Sequence, residues 1–264
     1  MTYRYYCIFI FFLTFCFCNS ARSQHIERNR MIGVAHTNVL DTYLSPLEYT
    51  GTSVQYHASS LRALNDSLSA WQFQHSCWGN IGFVSNPTDD CSEWDGQLQL
   101  DWAWRYCFEC TPQFNVSIGP MIEVGAGFTY NLKGGNNPAQ GRLSIAAGAS
   151  AAARYAFSCF KKNMAVNGRI DLPMLGAAFS PHYGQSYYEI FSLGHYDNNV
   201  VVTHPFNAPT ARMLFTLEIP FKKSALLVGY WGEARQSKLH HLKRHTWTNG
   251  LMIGYAATFL RCSK

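Results

Sequence analysis

The stretch "QLQLDWAWRYCFE", residues 97–109, alternates without a break between two kinds of side chain. One parity carries Leu98, Leu100, Trp102, Trp104, Tyr106 and Phe108, and the other carries Gln97, Gln99, Asp101, Ala103, Arg105, Cys107 and Glu109. Alternation with a period of two is typical of a β-strand. The run exceeds the ~5–6 residues of a usual globular strand, and a tilted membrane-crossing strand needs about 9–11. We therefore expect its aromatic face to meet lipid and its charged face to meet the inside of a barrel.

The same alternation recurs in later segments, which span residues 113–130, 142–157, 163–178, 211–221 and 246–259. A soluble barrel would also alternate, but its apolar residues would lie inside and its polar residues outside. Hydrophobic residues make up 47% of the chain and charged residues only 14%, so few polar residues remain to coat an outer surface. The pattern favours a barrel with charges inside, since only a closed barrel satisfies every backbone group of strands in lipid.

Strands are predicted near residues 26–37, 51–62, 69–84, 95–108, 113–130, 141–157, 163–178, 209–220, 224–235 and 245–260. Short links, at 109–113, 159–163 and 220–224, are expected to be periplasmic turns. Longer links, at 85–94, 131–141, 179–210 and 236–244, are expected to be extracellular loops. The predicted fold is thus an all-β, transmembrane, antiparallel up-and-down barrel of about ten strands. Twelve strands are possible if residues 197–206 also pair.

Residues 1–23 have the pattern of a secretory signal peptide. Arg4 supplies the positive start, an apolar core follows, and Ala21-Arg22-Ser23 resembles a cleavage site. A membrane anchor is the alternative, although the apolar part is short for a span. We expect residues 24–264 to form the mature barrel, in the outer membrane of a Gram-negative bacterium.

Six cysteines follow the signal: Cys77, Cys91, Cys107, Cys110, Cys159 and Cys262. Export would place them in an oxidising compartment, but sequence alone does not decide whether they pair. Cys107 and Cys110 form a CxxC, which has a redox or zinc interpretation. That interpretation is disfavoured because the motif ends a strand and no second ligand pair sits at zinc spacing.

A barrel of about ten strands has a narrow interior, which side chains can fill. The predicted lumen network consists of Asp101, Arg105, Glu123, Arg142, Arg154, Arg169, Asp171, Arg212, Glu218, Glu233 and Arg235, with Glu109 of the same parity. Buried charges require partners, so the favoured interpretation is a set of ion pairs that plugs the barrel. A charged path for a small solute and an active constellation are the alternatives.

The longest predicted loop, residues 180–209, carries the main candidates for ligand binding: His182, Tyr183, Tyr187, Tyr188, Glu189 and His195. An aromatic binding platform is one interpretation. A hydrolase that uses Ser186, a histidine (His182 or His195) and Glu189 is another, although no GxSxG surrounds these serines. The structural alternative is a loop that folds over the barrel mouth and seals it with aromatics.

A basic segment, "KLHHLKRH" at residues 238–245, is the second cluster. We expect Lys238, Lys243 and Arg244 to meet anionic lipid or lipopolysaccharide. Metal binding by His240, His241 and His245 is the weaker interpretation, because the segment does not have helical spacing. The net charge of +5 is scattered, which argues against a nucleic-acid partner. No metal or cofactor is expected, and the barrel-assembly machinery is the expected partner in biogenesis.

Four segments resemble those of a known family: "LDTYLSPLEYTG" (40–51), "NNPAQ" (136–140), "SPHYGQSYYEIFSLG" (180–194) and "RQSKLHHLK" (235–243). The family is a group of outer-membrane-like proteins from Bacteroidetes that is catalogued only as a domain of unknown function. The resemblance implies the barrel and its location, but no activity or catalytic residues. The sequence therefore predicts a non-enzymatic barrel that serves the envelope structurally or binds a ligand through the 180–209 loop. A hydrolase or acyltransferase at the extracellular rim is the alternative, and a narrow pore is the third.

Overall fold

The computed structural model describes residues 24–64, 70–134, 138–221 and 224–261. The predicted signal peptide and Cys262 lie outside these ranges. The strands are β1 Gln24–Asp41, β2 Ser45–Ala63, β3 Trp71–Ser85, β4 Ser92–Glu109, β5 Phe114–Asn131, β6 Ala139–Cys159, β7 Lys162–Phe179, β8 Val200–Thr203, β9 Thr210–Phe221, β10 Ser224–Leu239 and β11 Leu242–Arg261. One short helix of the described chain, α1, spans Tyr187–Phe191.

The sheet is antiparallel and closes on itself. Strands β1 to β7 pair in sequence order, β7 pairs with β9, and β9, β10 and β11 continue to β1. The short β8 pairs only with the upper part of β7, between Gly176 and Phe179. The described residues thus form a closed barrel of ten strands, as predicted. The twelve-strand alternative is wrong, because pairing within 197–206 is confined to Val200–Thr203 and adds no crossing strand.

Side chains point in the directions that the alternation predicts. Phe128 and Phe215 are each 42% exposed on the outer surface. Arg105, Glu123 and Arg212, by contrast, are at most 3% exposed and lie inside. Because the side-chain period of a strand is two, a register shift of one residue would exchange the two faces.

The outer surface is banded. Exposed aliphatic residues form the middle, with Leu98, Leu100, Ile122, Val124, Leu143, Ile145, Ile170, Leu226, Val228, Leu251 and Ile253. Most exposed aromatics flank this band, with Phe83, Trp94, Phe128, Tyr130 and Trp247 towards one end and Trp71, Tyr106, Phe108, Tyr155, Phe221 and Tyr255 towards the other. Phe215 and Tyr230, which pair with each other, lie within the band beside Leu251. An apolar band between two aromatic girdles is the surface of a transmembrane β-barrel.

The two ends of the barrel differ. The terminal end, where Gln24 and Arg261 lie, has short connections such as the Phe160–Lys161 turn. The loop end carries the longer connections, including residues 180–209 with α1 and β8.

The predicted long loop at 236–244 is wrong. Strands β10 and β11 continue to Leu239 and Leu242, which pair, so only His240 and His241 form the turn. Both have positive φ, 48° and 66°, as a two-residue type I′ hairpin requires. Histidine is one of the residues that more often adopts this left-handed region, although it gives no composition signal for a tight turn.

Among the described residues, no helix is long and apolar enough to cross a bilayer.

Candidate functional site: the lumen and its loop-end mouth

Charged residues from opposite walls meet at the middle of the lumen. Arg212 on β9 places Nη2 3.2 Å from Oδ1 of Asp101 on β4 and 2.9 Å from Oε2 of Glu123 on β5. Arg169 on β7 completes the group, with Nη2 2.9 Å from Asp171 and 3.6 Å from Asp101. We call these five residues the central ion cluster.

Three stacked rings lie beside the central ion cluster. Trp78 and Trp231 stack with ring centroids 4.2 Å apart, and His57 lies 3.7 Å from the other side of Trp78. Trp78 Nε1 donates to Asp101 Oδ2 at 2.5 Å, which ties the rings to the charges. The ring stack and the central ion cluster together form a septum across the barrel.

A second charged group lies nearer the loop end. Arg142 and Arg244 both contact Asp95 Oδ1, at 2.9 and 3.2 Å, and both approach Asp41 within 4 Å. The expectation that Arg244 meets lipid is therefore wrong, because its side chain faces inward and is 10% exposed. Lys238 and Lys243, its neighbours in the basic segment, are exposed.

Sequence reasoning missed Asp41 and Asp95 as lumen residues. Both lie near or beyond the predicted strand ends, where the alternation is weaker. Asp95 nevertheless has the parity of Asp101, and the observed strand β4 begins three residues before it, at Ser92. Extending the parity to the strand end was the signal that could have identified it.

The remaining predicted lumen residues pair locally. Arg154 Nη1 is 2.5 Å from Glu218 Oε2 near the terminal end, and these side chains are 38% and 19% exposed. Arg235 Nη2 is 3.0 Å from Glu233 and donates to Gln99 at 2.6 Å. Arg105 differs, because its hydrogen bonds go to Ser150 at 3.0 Å and to the Gln74 amide. Glu109 is exposed at the end of β4.

Two cavities lie on either side of the septum. The loop-end cavity, about 930 Å³ and open to solvent, reaches Glu123 of the central ion cluster and is lined above it by Arg142, Arg235 and Arg244. The terminal-end cavity, about 950 Å³, reaches His57 and Arg169 from the opposite side. The septum therefore lies between the two cavities.

In the 180–209 loop, Ser186 is a helix cap. Its Oγ accepts from the Glu189 N–H at 3.2 Å and donates to the Glu189 carboxylate at 2.9 Å, while its own N–H donates to that carboxylate at 2.7 Å. This reciprocal arrangement is a capping box. The hydrogen bond from the Ser186 N–H, followed by that from its hydroxyl, lowers the pKa of Glu189.

The two histidines of the hydrolase hypothesis bond elsewhere. His182 stacks on His240 at 3.9 Å, and its Nε2 lies 3.2 Å from the Asp197 carbonyl. His195 contributes its backbone carbonyl, which accepts from Gln185 at 2.6 Å. The structure thus brings Ser186 and Glu189 together as a cap, but neither His182 nor His195 forms a hydrogen bond with the Ser186 hydroxyl.

The loop tyrosines have separate positions. The Tyr187 hydroxyl accepts from the Gly141 N–H at 2.6 Å and donates to its carbonyl at 3.1 Å, which anchors α1 to strand β6. Tyr43 packs edge-on against Tyr187 at 6.0 Å. Tyr183 and Tyr188 instead project outward and are 78% and 66% exposed.

Within the described ranges, no group of three or more His, Cys, Asp or Glu side chains could hold a metal ion. The described cysteines, Cys77, Cys91, Cys107, Cys110 and Cys159, are free. Cys107 lies two residues before the end of β4 and Cys110 follows it, so the CxxC does not begin a helix.

A closed wall with an apolar outer band and a charged lumen defines a transmembrane β-barrel protein. The chain belongs to the family described as "Protein of unknown function (DUF3316)", whose model matches residues 8–264. No curated protein matches the chain.

Solved structures similar to this chain include outer-membrane barrels. The translocator domain of the autotransporter NalP from Neisseria meningitidis is 8% identical with a TM-score of 0.42, over 97% of this chain and 95% of that one. An outer membrane channel from Pseudomonas putida F1 is 9% identical with a TM-score of 0.36, over 91% and 97%. Ail of Yersinia pestis, in complex with sucrose octasulfate, is 13% identical with a TM-score of 0.32, over 88% and 98%. All three TM-scores lie below 0.5, so nothing that these proteins bind or transport is carried over to this chain.

Proposed function

We propose that this protein is a non-enzymatic outer-membrane barrel of the Gram-negative, Bacteroidetes-type envelope, whose lumen is plugged. The observation that supports this proposal is the septum. In it, Arg212 bridges Asp101 and Glu123 across the barrel. Trp78 and Trp231 stack beside these charges. The septum leaves no wide passage, which argues against the pore alternative.

The outer surface supports the proposed location. The apolar band is continuous and its side chains are strongly exposed, with Leu251 at 71% and Leu143 at 61%. An apolar patch of this extent is rare on a protein surface that faces water. Burial of this band in hydrocarbon stabilises the barrel, and the aromatic girdles suit the two lipid interfaces. Export by the signal at residues 1–23, contact with outer-membrane lipid and lipopolysaccharide, and insertion by the barrel-assembly machinery belong to the same proposal.

The loop end is proposed to face the cell exterior, because outer-membrane barrels have short periplasmic turns and longer extracellular loops. The 180–209 loop is then the surface available to a ligand or partner, through Tyr183, Tyr188 and the neighbouring His182 and His195. Its other candidates, Tyr187 and Glu189, hold α1 in place. Protease added to intact cells should cleave within 180–209 and nowhere in the terminal-end turns; cleavage only after the cells are opened would reverse the orientation.

The plugged lumen is tested by conductance. The mature protein, refolded in detergent and inserted into planar bilayers, should give no steady ion current over a range of voltages. Steady single-channel steps of uniform size would favour the narrow pore instead.

The enzyme alternative has its own test. Purified protein should not hydrolyse short-chain nitrophenyl esters above the level of Ser186→Ala, because neither His182 nor His195 hydrogen-bonds the Ser186 hydroxyl. Activity that is lost specifically in Ser186→Ala would restore the hydrolase hypothesis.

A further inference from the structure

A group of basic residues lies on the outer face of the barrel, near the terminal end. Strand β1 contributes Arg28 and Arg30, strand β2 contributes Arg62, and strand β3 contributes His75. All four have the parity of the exposed apolar residues on their own strands, such as Ile32 on β1, which is 61% exposed. We call these four residues the outer basic cluster.

The register of the strands brings the cluster together. Arg28 pairs with Ser60, and Ser60 pairs with His75 on the next strand. Arg62 follows Ser60 by two residues on the same face, and its guanidinium carbon lies 4.8 Å from the centroid of the Phe73 ring. The His75 ring lies 6.3 Å from the same Phe73 ring. The basic residues therefore form one continuous patch.

Among the described residues, no carboxylate on the outer face of β1 to β4 neutralises this patch at the terminal end. Glu27 lines the terminal-end cavity, and Asp101 bonds to Arg212 inside the lumen. Glu109, at the tip of β4, has the same inward parity as Asp101. Asp66 follows β2 in the sequence and lies outside the described ranges. When Asp66 is counted against the three arginines of the cluster, an excess of two positive charges remains.

A depression of about 760 Å³ crosses the outer face beside the cluster. Arg28, Arg30 and His75 line it, and on β2 it is lined by the small side chains of Ala58 and Ser60. The side of the depression on β4 is apolar and consists of Leu100 and Trp102. The depression therefore joins a cationic side to an apolar side, as a lipid with a charged head group and an acyl chain requires.

The depth of the cluster suits a lipid phosphate. Arg30 pairs with Tyr255, which belongs to the aromatic girdle at the terminal end. A charged residue on the lipid face of a barrel destabilises it most at the bilayer midplane and least near the interfaces. Guanidinium groups bind phosphate oxygens through charge-assisted and often paired hydrogen bonds, and the His75 ring adds a further donor. A phosphate at this interface would balance arginines that have no carboxylate on their own surface.

We propose that the outer basic cluster binds one anionic phospholipid, with its phosphate at Arg28, Arg30 and Arg62 and an acyl chain in the depression along Leu100 and Trp102. The proposal rests on the membrane placement and orientation proposed above, in which the terminal end faces the periplasm and phospholipids supply the nearest phosphates. An anionic head group is preferred to a zwitterionic one, because the excess positive charge repels an ammonium group beside the phosphate.

Arg30→Gln with Arg62→Gln tests the proposal, because both side chains lie on the outer face and do not take part in the lumen ion pairs. The matched control is Lys161→Gln with Lys162→Gln, which removes the same charge from exposed positions at the same end of the barrel. Ala58→Phe is a third variant, which fills the depression without a change of charge. It also tests the site if the double arginine variant does not fold.

Native mass spectrometry of the proteins, folded in dodecyl maltoside, would be run with three probes. The probes are phosphatidylglycerol, zwitterionic phosphatidylethanolamine and glycerol phosphate, which has no acyl chain. Wild type and the lysine control should form a saturable one-to-one complex with phosphatidylglycerol. Occupancy should fall at least tenfold in the double arginine variant and in Ala58→Phe, and at least tenfold for each of the other two probes.

Absence of the phosphatidylglycerol complex, or an equal loss in the arginine and lysine variants, would overturn the site. Equal binding of phosphatidylethanolamine would overturn the preference for an anionic head group, and full binding by Ala58→Phe would overturn the place of the acyl chain. A folded protein that needs detergent but binds no phospholipid would contradict this site alone. A protein that stays soluble without detergent would instead contradict the membrane placement.

Discussion

Arg212 and Asp101 are 111 positions apart in the sequence, yet Arg212 Nη2 donates to Asp101 Oδ1 at 3.2 Å inside the lumen. Their side chains are at most 1% exposed, and they come from strands that are not neighbours in the sheet. The contact therefore spans the barrel, and Arg212 extends it to Glu123 at 2.9 Å. The same contact holds the central ion cluster together, because it joins the walls at mid-height.

Removal of Arg212 should destabilise the barrel strongly. Arg212→Met leaves Asp101 and Glu123 buried together without their shared cation, and loss of one partner from a buried pair costs about 3–5 kcal/mol. Arg154→Met is the control, because its pair with Glu218 is partly exposed and such pairs contribute about 0–1 kcal/mol. The free energy of unfolding by urea, measured in lipid vesicles, is compared for the two variants. Equal losses of stability would mean that the central ion cluster stabilises the barrel no more than the exposed pair does.

Opening the ring stack should create a conducting path. In the double variant Trp78→Ala and Trp231→Ala, two indoles of the septum are lost and the two cavities can join. Planar-bilayer recording should then show steady current where wild type shows none. The control is Trp94→Ala with Trp247→Ala, which removes two tryptophans from the outer surface and should leave the bilayer silent. If the folded Trp78→Ala, Trp231→Ala variant gives no current, the central ion cluster alone blocks ion flow.

Because of the capping box, the stability of α1 should depend on pH. The hydrogen bonds from Ser186 depress the folded-state pKa of Glu189 below its ordinary value of 4.5. The stabilisation is therefore fully present above pH 4.5 and is lost as pH falls through the folded-state pKa. Hydrogen exchange of residues 187–191 should quicken on acidification below pH 4.5 in wild type.

Ser186→Ala, which removes the cap, should already exchange faster at pH 7, since loss of a serine cap costs about 0.5–2 kcal/mol. Its exchange should also respond less to acid than that of wild type. An identical pH response in the two proteins would mean that Glu189 does not act through the cap.

Substitutions in the Phe160–Lys161 turn should increase the stability of the barrel. Both residues have positive φ, 50° and 62°, which costs a non-glycine residue roughly 1–2 kcal/mol. Phe160→Asn with Lys161→Gly suits the same two-residue turn, so the urea midpoint should rise by an amount equivalent to about 1–2 kcal/mol. Lys162→Gly, one residue further and inside β7, should lower the midpoint, and a rise in both variants would point to an effect on the unfolded state.

Alternation predicted the barrel because each strand has one face in lipid and the other face towards a packed lumen. Apolar and polar side chains therefore alternate with a strict period of two. Leu251 and Met252 illustrate this, at 71% and 2% exposed. The period fades at strand ends, which is why Asp41, Asp95 and Arg244 were misplaced or missed. The His240–His241 turn carries no glycine or asparagine, so its sequence resembles a loop.

The septum could be predicted only in part. The alternation along each strand predicted that five charged residues point inward: Arg212, Asp101, Glu123, Arg169 and Asp171. It does not predict which of these charges pair across the barrel. Trp78 was missed because large aromatics are expected on the lipid face, whereas here its indole N–H has a buried carboxylate partner, Asp101. The break in pairing at residues 172–175 of β7, between its ladders with β9 and β8, was also beyond the sequence, since it depends on where the two ladders stop.

Nitroxide labels at Leu251 and Met252, each introduced as a single cysteine in a background whose native cysteines are alanine, test the orientation most directly. In lipid vesicles, the label at 251 should be relaxed strongly by dissolved oxygen and weakly by a water-soluble nickel chelate, because it lies in hydrocarbon. The label at 252 should be immobilised and shielded from oxygen in the lumen. Strong relaxation of the 251 label by the nickel chelate, or an oxygen-exposed label at 252, would contradict a barrel that faces lipid with its apolar side chains.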